Sequence, residues 1–381
     1  MDAIRHHSFG PPEVLVLEQV PDPVPGPGDV LVDAVAHGVH LLDTSLRRGE
    51  AGPPLPLPSL PTVPGREIAG TVAAVGSGVD SSWIGRHVAA HLGPVPDGGG
   101  YARRVVVGAD KLHALPDGAD GAPLDPADAI TMIGTGRMAV YTLDLAAVTA
   151  DDVVVVTGAA GGLGTLFAQE ALRAGARVVA LAGGAAKLQV LRDLLPDTDR
   201  LALVDYSAPG WPDAARAALG GSPATLVLDG VGGELGTAAT DLLRGAGGSA
   251  GGESVSGVDS GGADGGGADG SSADGSSAAN GRAGDDVAPG RLVAYGWASG
   301  TANRYTSWAE AGRIESPIEV RYAVGPQAPP MGDQRPYQER ALANAASGRW
   351  RVATHRVPFA EAARAHRELE ERRTTGKVVL V

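Results

Sequence analysis

Glycines with the spacing of a phosphate-binding loop form the most specific chemical signal in the chain. The stretch GAAGGLG, residues 158–164, follows the apolar run VVVV and precedes the helical stretch TLFAQEALRAG. Glycines in a strand-to-helix turn let the backbone approach a pyrophosphate, and the helix N-terminus offers free N–H groups. A tight turn without a ligand is the alternative. The spacing, a variant of G-x-G-x-x-G, predicts that a dinucleotide is bound by Gly158, Ala159, Ala160, Gly161, Gly162, Leu163 and Gly164.

The residues after the second predicted strand favour NADP(H) over NAD. An NAD site usually places Asp or Glu about 20 residues after the glycines, where it holds the ribose hydroxyls. Here that strand ends in ALAGG without a carboxylate, Lys187 follows, and Tyr206 ends the third strand. A lysine in such a pocket suits a 2′-phosphate, although a solvated helix face would also explain it. We therefore add Gly183, Lys187 and Tyr206 to the expected cofactor site.

The chain has two regions with different sequence patterns, which together predict an α/β protein. Residues 1–122 contain short β-rich runs separated by Gly and Pro, which is typical of a compact, mostly β domain. From about Asp125, strands alternate with helices, which indicates βαβ units and a parallel sheet. We expect a dinucleotide-binding domain over 123–312. Residues 313–381 would complete the first domain, because the closing strand KVVLV has no local partner.

A Gly/Ser/Asp-rich segment at about 245–290 interrupts the second domain. It has almost no large apolar side chains, so burial cannot offset the entropy of ordering it. We expect a disordered insert, with a regulatory or partner-binding tether as the alternative.

Composition excludes several classes of function. The net charge of −13 argues against nucleic acid or an anionic membrane as the main partner. The absence of cysteine excludes disulfides, thiolate nucleophiles and cysteine-based zinc sites. Neither a signal peptide nor a membrane span is evident, so a cytoplasmic protein is expected.

Several motifs in order resemble the medium-chain dehydrogenase/reductase superfamily, most closely its zinc-free quinone oxidoreductase branch. They are GPPEVLVLEQVPDPVPGPGDVLV, VPGREIAGTVAAVGSGV, VVVVTGAAGGLG, LDGVGG and RRTTGKVVLV. The resemblance covers nearly the whole chain outside the insert. It implies a GroES-like β-rich domain interrupted by a doubly wound Rossmann domain, an active site in the cleft between them, and a homodimer or homotetramer.

The resemblance also locates the zinc-ligand positions of related alcohol dehydrogenases, which fall here on His40 and Arg66. Arginine does not ligate zinc, so we expect no metal. A set formed by His40, Glu67 and His91 is the alternative. Asp43 is expected to cap a helix, and Arg66 to be held by a carboxylate.

Further site residues follow from the resemblance. The candidate catalytic residues are His40, Arg137 and Tyr141. His40 would donate a proton, hydrogen-bond the nicotinamide ribose, or only line the cleft, and packing is favoured over acid catalysis for Tyr141. Arg372 would join the 2′-phosphate site, and Gly230 and Gly296 would flank the cofactor.

The implied function is NADPH-dependent hydride transfer to a quinone or an α,β-unsaturated carbonyl. Without a metal, the acceptor must already be electron-poor. A biosynthetic enoyl reductase acting on a polyketide-like or carrier-bound substrate is the alternative within the enzyme class. A non-catalytic NADPH-binding protein is the alternative outside it.

Overall fold

The computed structural model describes residues 1–50, 56–93, 99–246, 288–310 and 318–381. Most of the predicted insert at about 245–290 lies outside these residues, so the expectation of disorder stays a prediction. Within the described residues, no helix combines the length and the apolar character that crossing a membrane requires.

The elements alternate largely as the sequence patterns predict. The described strands are β1 (Asp2–Arg5), β2 (Val16–Gln19), β3 (Asp29–Gly38), β4 (Glu67–Val75), β5 (His87–His91), β6 (Arg104–Gly108), β7 (Leu112–Ala114), β8 (Val153–Val156), β9 (Arg177–Ala182), β10 (Leu201–Asp205), β11 (Leu226–Asp229), β12 (Gly290–Ala294), β13 (Ile318–Tyr322), β14 (Thr354–Val357) and β15 (Lys377–Leu380). The described helices are α1 (Leu41–Arg48), α2 (Pro126–Thr131), α3 (Arg137–Ala146), α4 (Gly162–Arg173), α5 (Ala185–Leu194), α6 (Trp211–Ala218), α7 (Gly233–Thr240), α8 (Arg304–Glu310), α9 (Arg335–Ala346) and α10 (Ala362–Glu370).

A six-stranded parallel sheet forms the second half of the protein. Its order is β10-β9-β8-β11-β12-β13, which in chain order is 3-2-1-4-5-6. This is the doubly wound order of dinucleotide-binding domains, in which ligands lie where the strand order reverses. The reversal here falls between β8 and β11, and the glycine loop follows β8. The predicted Rossmann fold is therefore confirmed.

A seven-stranded, mainly antiparallel sheet forms the other half, in the order β14-β15-β3-β4-β5-β7 with β6 paired to β3. The closing strand β15 pairs antiparallel with β3, with Val379 opposite Gly38. The expected return of the chain's end to the first domain is thus observed. It makes that domain discontinuous in sequence.

The predicted domain boundary between residues 312 and 313 assigns strand β13 to the first domain, whereas the strand belongs to the Rossmann sheet. Residues 318–322 form β13, which pairs in parallel with β12 over its whole length. β13 is thus an edge strand of the Rossmann sheet, with Ile318 and Tyr322 buried and Glu319 exposed. The sequence IEVRY alone did not show to which sheet it belongs. The remaining boundaries stay predictions.

One helical segment links the two sheets and reaches the site. It consists of α2, a π-helical turn at Met132–Gly136, and α3. Asp125 caps its start, because its carboxylate accepts hydrogen bonds from the backbone N–H groups of Ala127 and Asp128. Insertions of this kind in helices often occur at functional sites, and this one carries Gly134 and precedes Arg137.

The C-terminal helix α10 is anchored to the first domain through a buried arginine. The guanidinium of Arg47 on α1 is 1% exposed and lies 2.6 Å from the Glu370 carboxylate. Its Nε also donates to the Gly10 carbonyl. This contact fixes the segment that carries Arg372 and Lys377.

We expect Arg47→Ala to destabilise the protein by about 2–4 kcal/mol, because it removes a large buried side chain and the hydrogen bond to the Gly10 carbonyl. Urea unfolding followed by circular dichroism measures this change. Arg340→Ala is the matched control, since Arg340 pairs with Asp144 at the surface, and it should cost less than about 1 kcal/mol. Equal losses in the two variants would contradict the anchoring role.

Candidate active site

Strand register brings four polar side chains together at one end of the β-rich sheet. Extending the β15–β3 register by two residues places Lys377 beside His40, because Val379 lies opposite Gly38. On the other side of β3, His37 pairs with Ile68, so Glu67 comes beside Gly38. Glu67 in turn lies opposite His91 on β5. The sheet therefore gathers residues that are more than 300 positions apart.

The side chains of His40, Glu67 and Lys377 form a compact buried group, which we call the ionic cluster. His40 Nε2 lies 2.7 Å from Glu67 Oε1 and 2.8 Å from Lys377 Nζ. Lys377 Nζ lies 3.0 Å from Glu67 Oε2. Glu67 is fully buried and Lys377 almost so, whereas 24% of the His40 side chain is exposed. His40 is therefore the member of the cluster that faces solvent.

Two glycines make room for the Glu67 carboxylate. A Cβ at Gly134, in the π-helical turn, would lie 1.6 Å from Glu67 Oε1. A Cβ at Gly38 would lie 2.2 Å from Glu67 Oε2. Any side chain at either position would displace the carboxylate, so both glycines are required for the ionic cluster.

Burial and charge set the protonation of the ionic cluster. Burial raises the pKa of Glu67, but the charges of His40 and Lys377 outweigh it and hold that pKa well below its usual value. Burial lowers the pKa of Lys377, and Glu67 opposes the shift. Burial likewise lowers the pKa of His40, again against the effect of Glu67. These shifts favour an ionised Glu67 carboxylate, which the contacts to His40 and Lys377 stabilise.

The expected roles of Asp43 and Arg66 are observed. The Asp43 carboxylate accepts a hydrogen bond from the His40 backbone N–H at 2.8 Å, which caps the first turn of α1. Its other oxygen lies 3.6 Å from Arg66 Nε in an ion pair. Asp43 thereby fixes the backbone on which His40 stands.

The residues at this position do not fit a zinc ion. The Lys377 ammonium lies within 3.0 Å of both His40 and Glu67, and a second cation between those ligands would be repelled by it. Among the described residues, no three His, Asp or Glu side chains converge as metal ligands do. The alternative zinc site of His40, Glu67 and His91 is therefore not supported, because the Lys377 ammonium contacts both His40 and Glu67.

Arg137 lies next to the ionic cluster. Burial lowers its pKa, and the charges of Glu67 and Arg66 act on it from nearby. Its Nη1 donates to the side-chain oxygen of Gln334. Its Nε is buried and has no hydrogen-bond partner in the described structure.

Tyr141, by contrast, is held in packing. Its hydroxyl donates to the Pro329 carbonyl at 2.6 Å, and its ring meets the Tyr337 ring edge-on. A hydroxyl bound in this way has no free proton to offer an acceptor. The structure supports the packing role that the sequence favoured, so the assignment of Tyr141 as catalytic is not supported by its contacts.

The glycine loop has the geometry of a phosphate cradle. Gly158 has a φ of 58°, which favours glycine, and Gly161 precedes the first turn of α4. A Cβ at Gly164 would lie 2.5 Å from the Gly158 carbonyl oxygen, so the helix can approach the turn only without a side chain there. Ala159, Ala160 and Leu163 complete the turn into α4. These features fit a pyrophosphate at the helix N-terminus.

The glycine loop and the ionic cluster are joined through one residue pair. The Gly376 N–H donates to the Ala160 carbonyl at 2.8 Å, and Gly161 forms a parallel bridge with Gly376. Lys377, the next residue, enters the ionic cluster. A molecule bound at the glycine loop would therefore lie close to Gly376, and Lys377, the next residue, contacts the His40 imidazole.

The residues expected at the adenosine end also meet. Lys187 Nζ donates to the Arg372 carbonyl at 2.7 Å, and burial followed by the Arg372 charge lowers the pKa of Lys187. Tyr206 lies against Gly183, where a Cβ would be 2.8 Å from its ring. Burial raises the pKa of Tyr206, while Arg372 opposes this shift. The structure thus gathers Lys187, Tyr206 and Arg372 at one edge.

The expectation of a carboxylate-free pocket needs a correction. Asp205, at the end of β10, accepts a hydrogen bond from the Gly184 N–H at 2.8 Å. The same oxygen accepts from the backbone and hydroxyl of Ser207. The sequence argument considered only the second strand and missed this carboxylate from the third, although its Oδ1 is already engaged by the protein.

Gly230 and Gly296 lie together at the carboxyl ends of β11 and β12. A Cβ at Gly230 would lie 2.1 Å from the Tyr295 ring, and one at Gly296 would lie 3.1 Å from the Gly230 carbonyl oxygen. Tyr295 donates through its hydroxyl to the Thr157 carbonyl, directly before the glycine loop. Both glycines thus lie near the residue that leads into the glycine loop, and their place beside a cofactor stays a prediction.

Sequence reasoning missed Lys377 altogether and considered Glu67 only as a possible ligand of zinc. A charged residue at the start of an otherwise apolar strand was the available signal, as in KVVL and EIAGTVAAV. In both strands the charged residue is buried along with its apolar neighbours. Such a residue needs a buried partner, and these two are partners of each other.

Comparison with known proteins is consistent with this architecture. Residues 26–117 match the family model described as alcohol dehydrogenase GroES-like domain, and residues 282–380 match that described as zinc-binding dehydrogenase. A 2-haloacrylate reductase from Burkholderia sp is 31% identical over 62% of this chain and 68% of its own. A quinone oxidoreductase from Pseudomonas aeruginosa is 28% identical over 99% of this chain and 98% of its own.

A solved mycobacterial structure, complexed with NADPH, superimposes with a TM-score of 0.70 at 27% identity, and the match covers 100% of both chains. The predicted fold and the predicted resemblance are confirmed by these matches.

We expect Gly134→Ala to destabilise the protein by about 2–3 kcal/mol, because its Cβ would occupy the position of Glu67 Oε1. Removing the carboxylate should relieve the overlap. The double variant Gly134→Ala/Glu67→Ala should therefore lose less than the sum of the two single losses, as measured by urea unfolding. Strict additivity would show that Gly134 does not make room for Glu67.

Proposed function

Because the chain belongs to the medium-chain dehydrogenase/reductase superfamily, in its quinone oxidoreductase-like branch, we propose that it is an NADPH-dependent, zinc-independent reductase. It transfers hydride to quinones or α,β-unsaturated carbonyls. The observation that carries the proposal is the Gly376–Lys377 link, which joins a phosphate cradle to a buried ionic cluster.

The residues present fit NADPH. The glycine loop would hold the pyrophosphate at the N-terminus of α4, with Gly230 and Gly296 on its flank. Lys187, Arg372 and Tyr206 would hold the 2′-phosphate with two cations and a hydroxyl. The mycobacterial relative carries NADPH in its structure, which supports the same cofactor here.

The ionic cluster would serve the proton half of the reaction. NADPH supplies a hydride when it is bound. The acceptor then needs a proton on the oxygen, and His40 is the exposed member of the ionic cluster. Its Nε2 lies within hydrogen-bonding distance of an acceptor, Glu67, and a donor, Lys377. In this account His40 gives its proton to the acceptor oxygen and receives one from the Lys377 ammonium, which becomes a neutral amine.

The acceptor must be electron-poor, because the cluster offers a proton and a fixed charge but no metal position. The quinone oxidoreductase and 2-haloacrylate reductase relatives support conjugated acceptors of both kinds. We expect the protein to act as a homodimer or homotetramer in the cytoplasm, as the sequence predicted.

Oxidation of NADPH, followed by absorbance, tests the proposal with a benzoquinone, an ortho-quinone, a simple enone and an enoyl thioester. Turnover of quinones or the enone with NADPH is the expected result. Turnover of the thioester alone would instead support the biosynthetic enoyl reductase. Binding of NADPH without turnover of any acceptor would support the non-catalytic alternative.

We expect Lys187→Ala to raise the KM for NADPH about tenfold or more while changing that for NADH by less than about threefold, because a charge-assisted contact to the 2′-phosphate is lost. Lys111→Ala is the matched control, since Lys111 donates to the Leu92 carbonyl in the first domain. A parallel rise for both cofactors would place Lys187 outside the 2′-phosphate site.

A further inference from the structure

Arg137 is a partly buried cation without a carboxylate of its own. Within the described residues no Asp or Glu oxygen forms an ion pair with it, and its one side-chain partner is the neutral amide of Gln334. Its Nε is buried without a hydrogen-bond partner. Burying a guanidinium in this way costs free energy unless an anion compensates it.

The neighbouring charges do not supply that anion. Asp43 pairs with Arg66, and Glu67 pairs with Lys377. These four charges cancel, and His40 and His91 are neutral because burial lowers the pKa of both, that of His91 to about 3. Arg137 therefore leaves the site with one positive charge in excess, in a chain whose net charge is −13.

His91 adds a neutral donor beside Arg137. Its Nδ1 accepts a hydrogen bond from the Gly93 N–H at 3.0 Å, so the neutral ring carries its proton on Nε2. The charge of Arg137 is close enough to lower the pKa of His91. A guanidinium and an imidazole N–H are both groups that recognise a carboxylate.

We propose that Arg137 makes this reductase selective for acceptors that carry a carboxylate conjugated to the reducible double bond, with His91 as a second donor to that carboxylate. The inference rests on the proposed function and deepens it by naming the substrate class. In the reaction, hydride from NADPH adds to the β-carbon and a proton adds to the α-carbon. The double bond is reduced, NADPH is oxidised to NADP⁺, and the carboxylate keeps its charge.

The excess positive charge suits this chemistry for an electrostatic reason. Hydride addition to an anionic acceptor raises the negative charge on its carboxylate in the transition state. A fixed guanidinium stabilises that charge, and the effect is larger for an acid because its transition state carries one more negative charge than that of the corresponding ester. The same arginine would therefore matter much more for an acid than for its ester.

The test compares acrylate-type acids with their methyl esters as acceptors. The measured quantity is the ratio of kcat/KM for the acid to that for the ester, in the wild type, Arg137→Gln and Arg137→Lys. We expect Arg137→Gln to lower this ratio about 10- to 100-fold, and Arg137→Lys to lower it less. Arg340→Gln, which removes a surface arginine paired with Asp144, should leave the ratio unchanged.

Binding gives a second readout that does not depend on turnover. Propionate and propionamide are titrated by calorimetry into the NADP⁺-loaded protein, and fluorescence gives the Kd for NADPH. We expect propionate to bind the wild type more tightly than propionamide. Arg137→Gln should lose this preference, whereas Arg137→Lys should retain more of it. Thermal unfolding verifies that each variant is folded.

Equal acid-to-ester ratios in the wild type and Arg137→Gln would overturn the inference, as would a wild type that reduces quinones and esters but no acid. A raised Kd for NADPH with an unchanged ratio would assign Arg137 to the cofactor instead. If no acceptor is reduced, the proposed function fails, and the propionate titration still decides whether Arg137 binds a carboxylate.

Discussion

The Glu67 carboxylate is the constraint on which the site depends, because a fully buried charge must be compensated from within the protein. Its compensation comes from the far end of the chain, through Lys377, and from the His40 imidazole. Space for it comes from Gly38 and Gly134. The antiparallel pairing of β15 with β3, which closes the first domain, is therefore also what completes the site.

That dependence links the two halves of the protein. The segment that delivers Lys377 first contacts the glycine loop through Gly376, and a few residues earlier Arg372 meets Lys187. One stretch of the C-terminal chain thus touches both ends of the expected cofactor site and the ionic cluster. A shift of α10 would displace residues at all three places. The contact between Arg47 and Glu370 restrains that helix.

Local patterns predicted the fold well. The run VVVVTGAAGGLG and the alternation after Asp125 predicted a phosphate loop, βαβ units and a parallel sheet, because these features are encoded by neighbouring residues. The strand order itself comes from the structure. The closing strand could be assigned to the first domain because no local partner existed. The strand IEVRY was misplaced, because its sequence did not show that it pairs with β12.

The site was predicted less completely, for a physical reason. His40 and the cofactor residues lie within recognisable motifs, but Lys377 acquires its role only through register with a strand more than 300 residues away. The carboxylate of Asp205 was missed for the same reason, because it reaches Gly184 from an adjacent strand. For Tyr141 the sequence already favoured packing over acid catalysis, and its hydrogen bond to the Pro329 carbonyl supports that role.

The central claim is that the ionic cluster delivers the proton of the reaction, and the double variant Glu67→Gln/Lys377→Met tests it most directly. This pair removes both charges together, so neither is left buried and unpaired. With a quinone and NADPH, kcat should fall about 100-fold or more while the Kd for NADPH stays within about threefold, in keeping with the loss of an acid catalyst. A double variant that is folded and retains kcat within about threefold of the wild type would contradict the account.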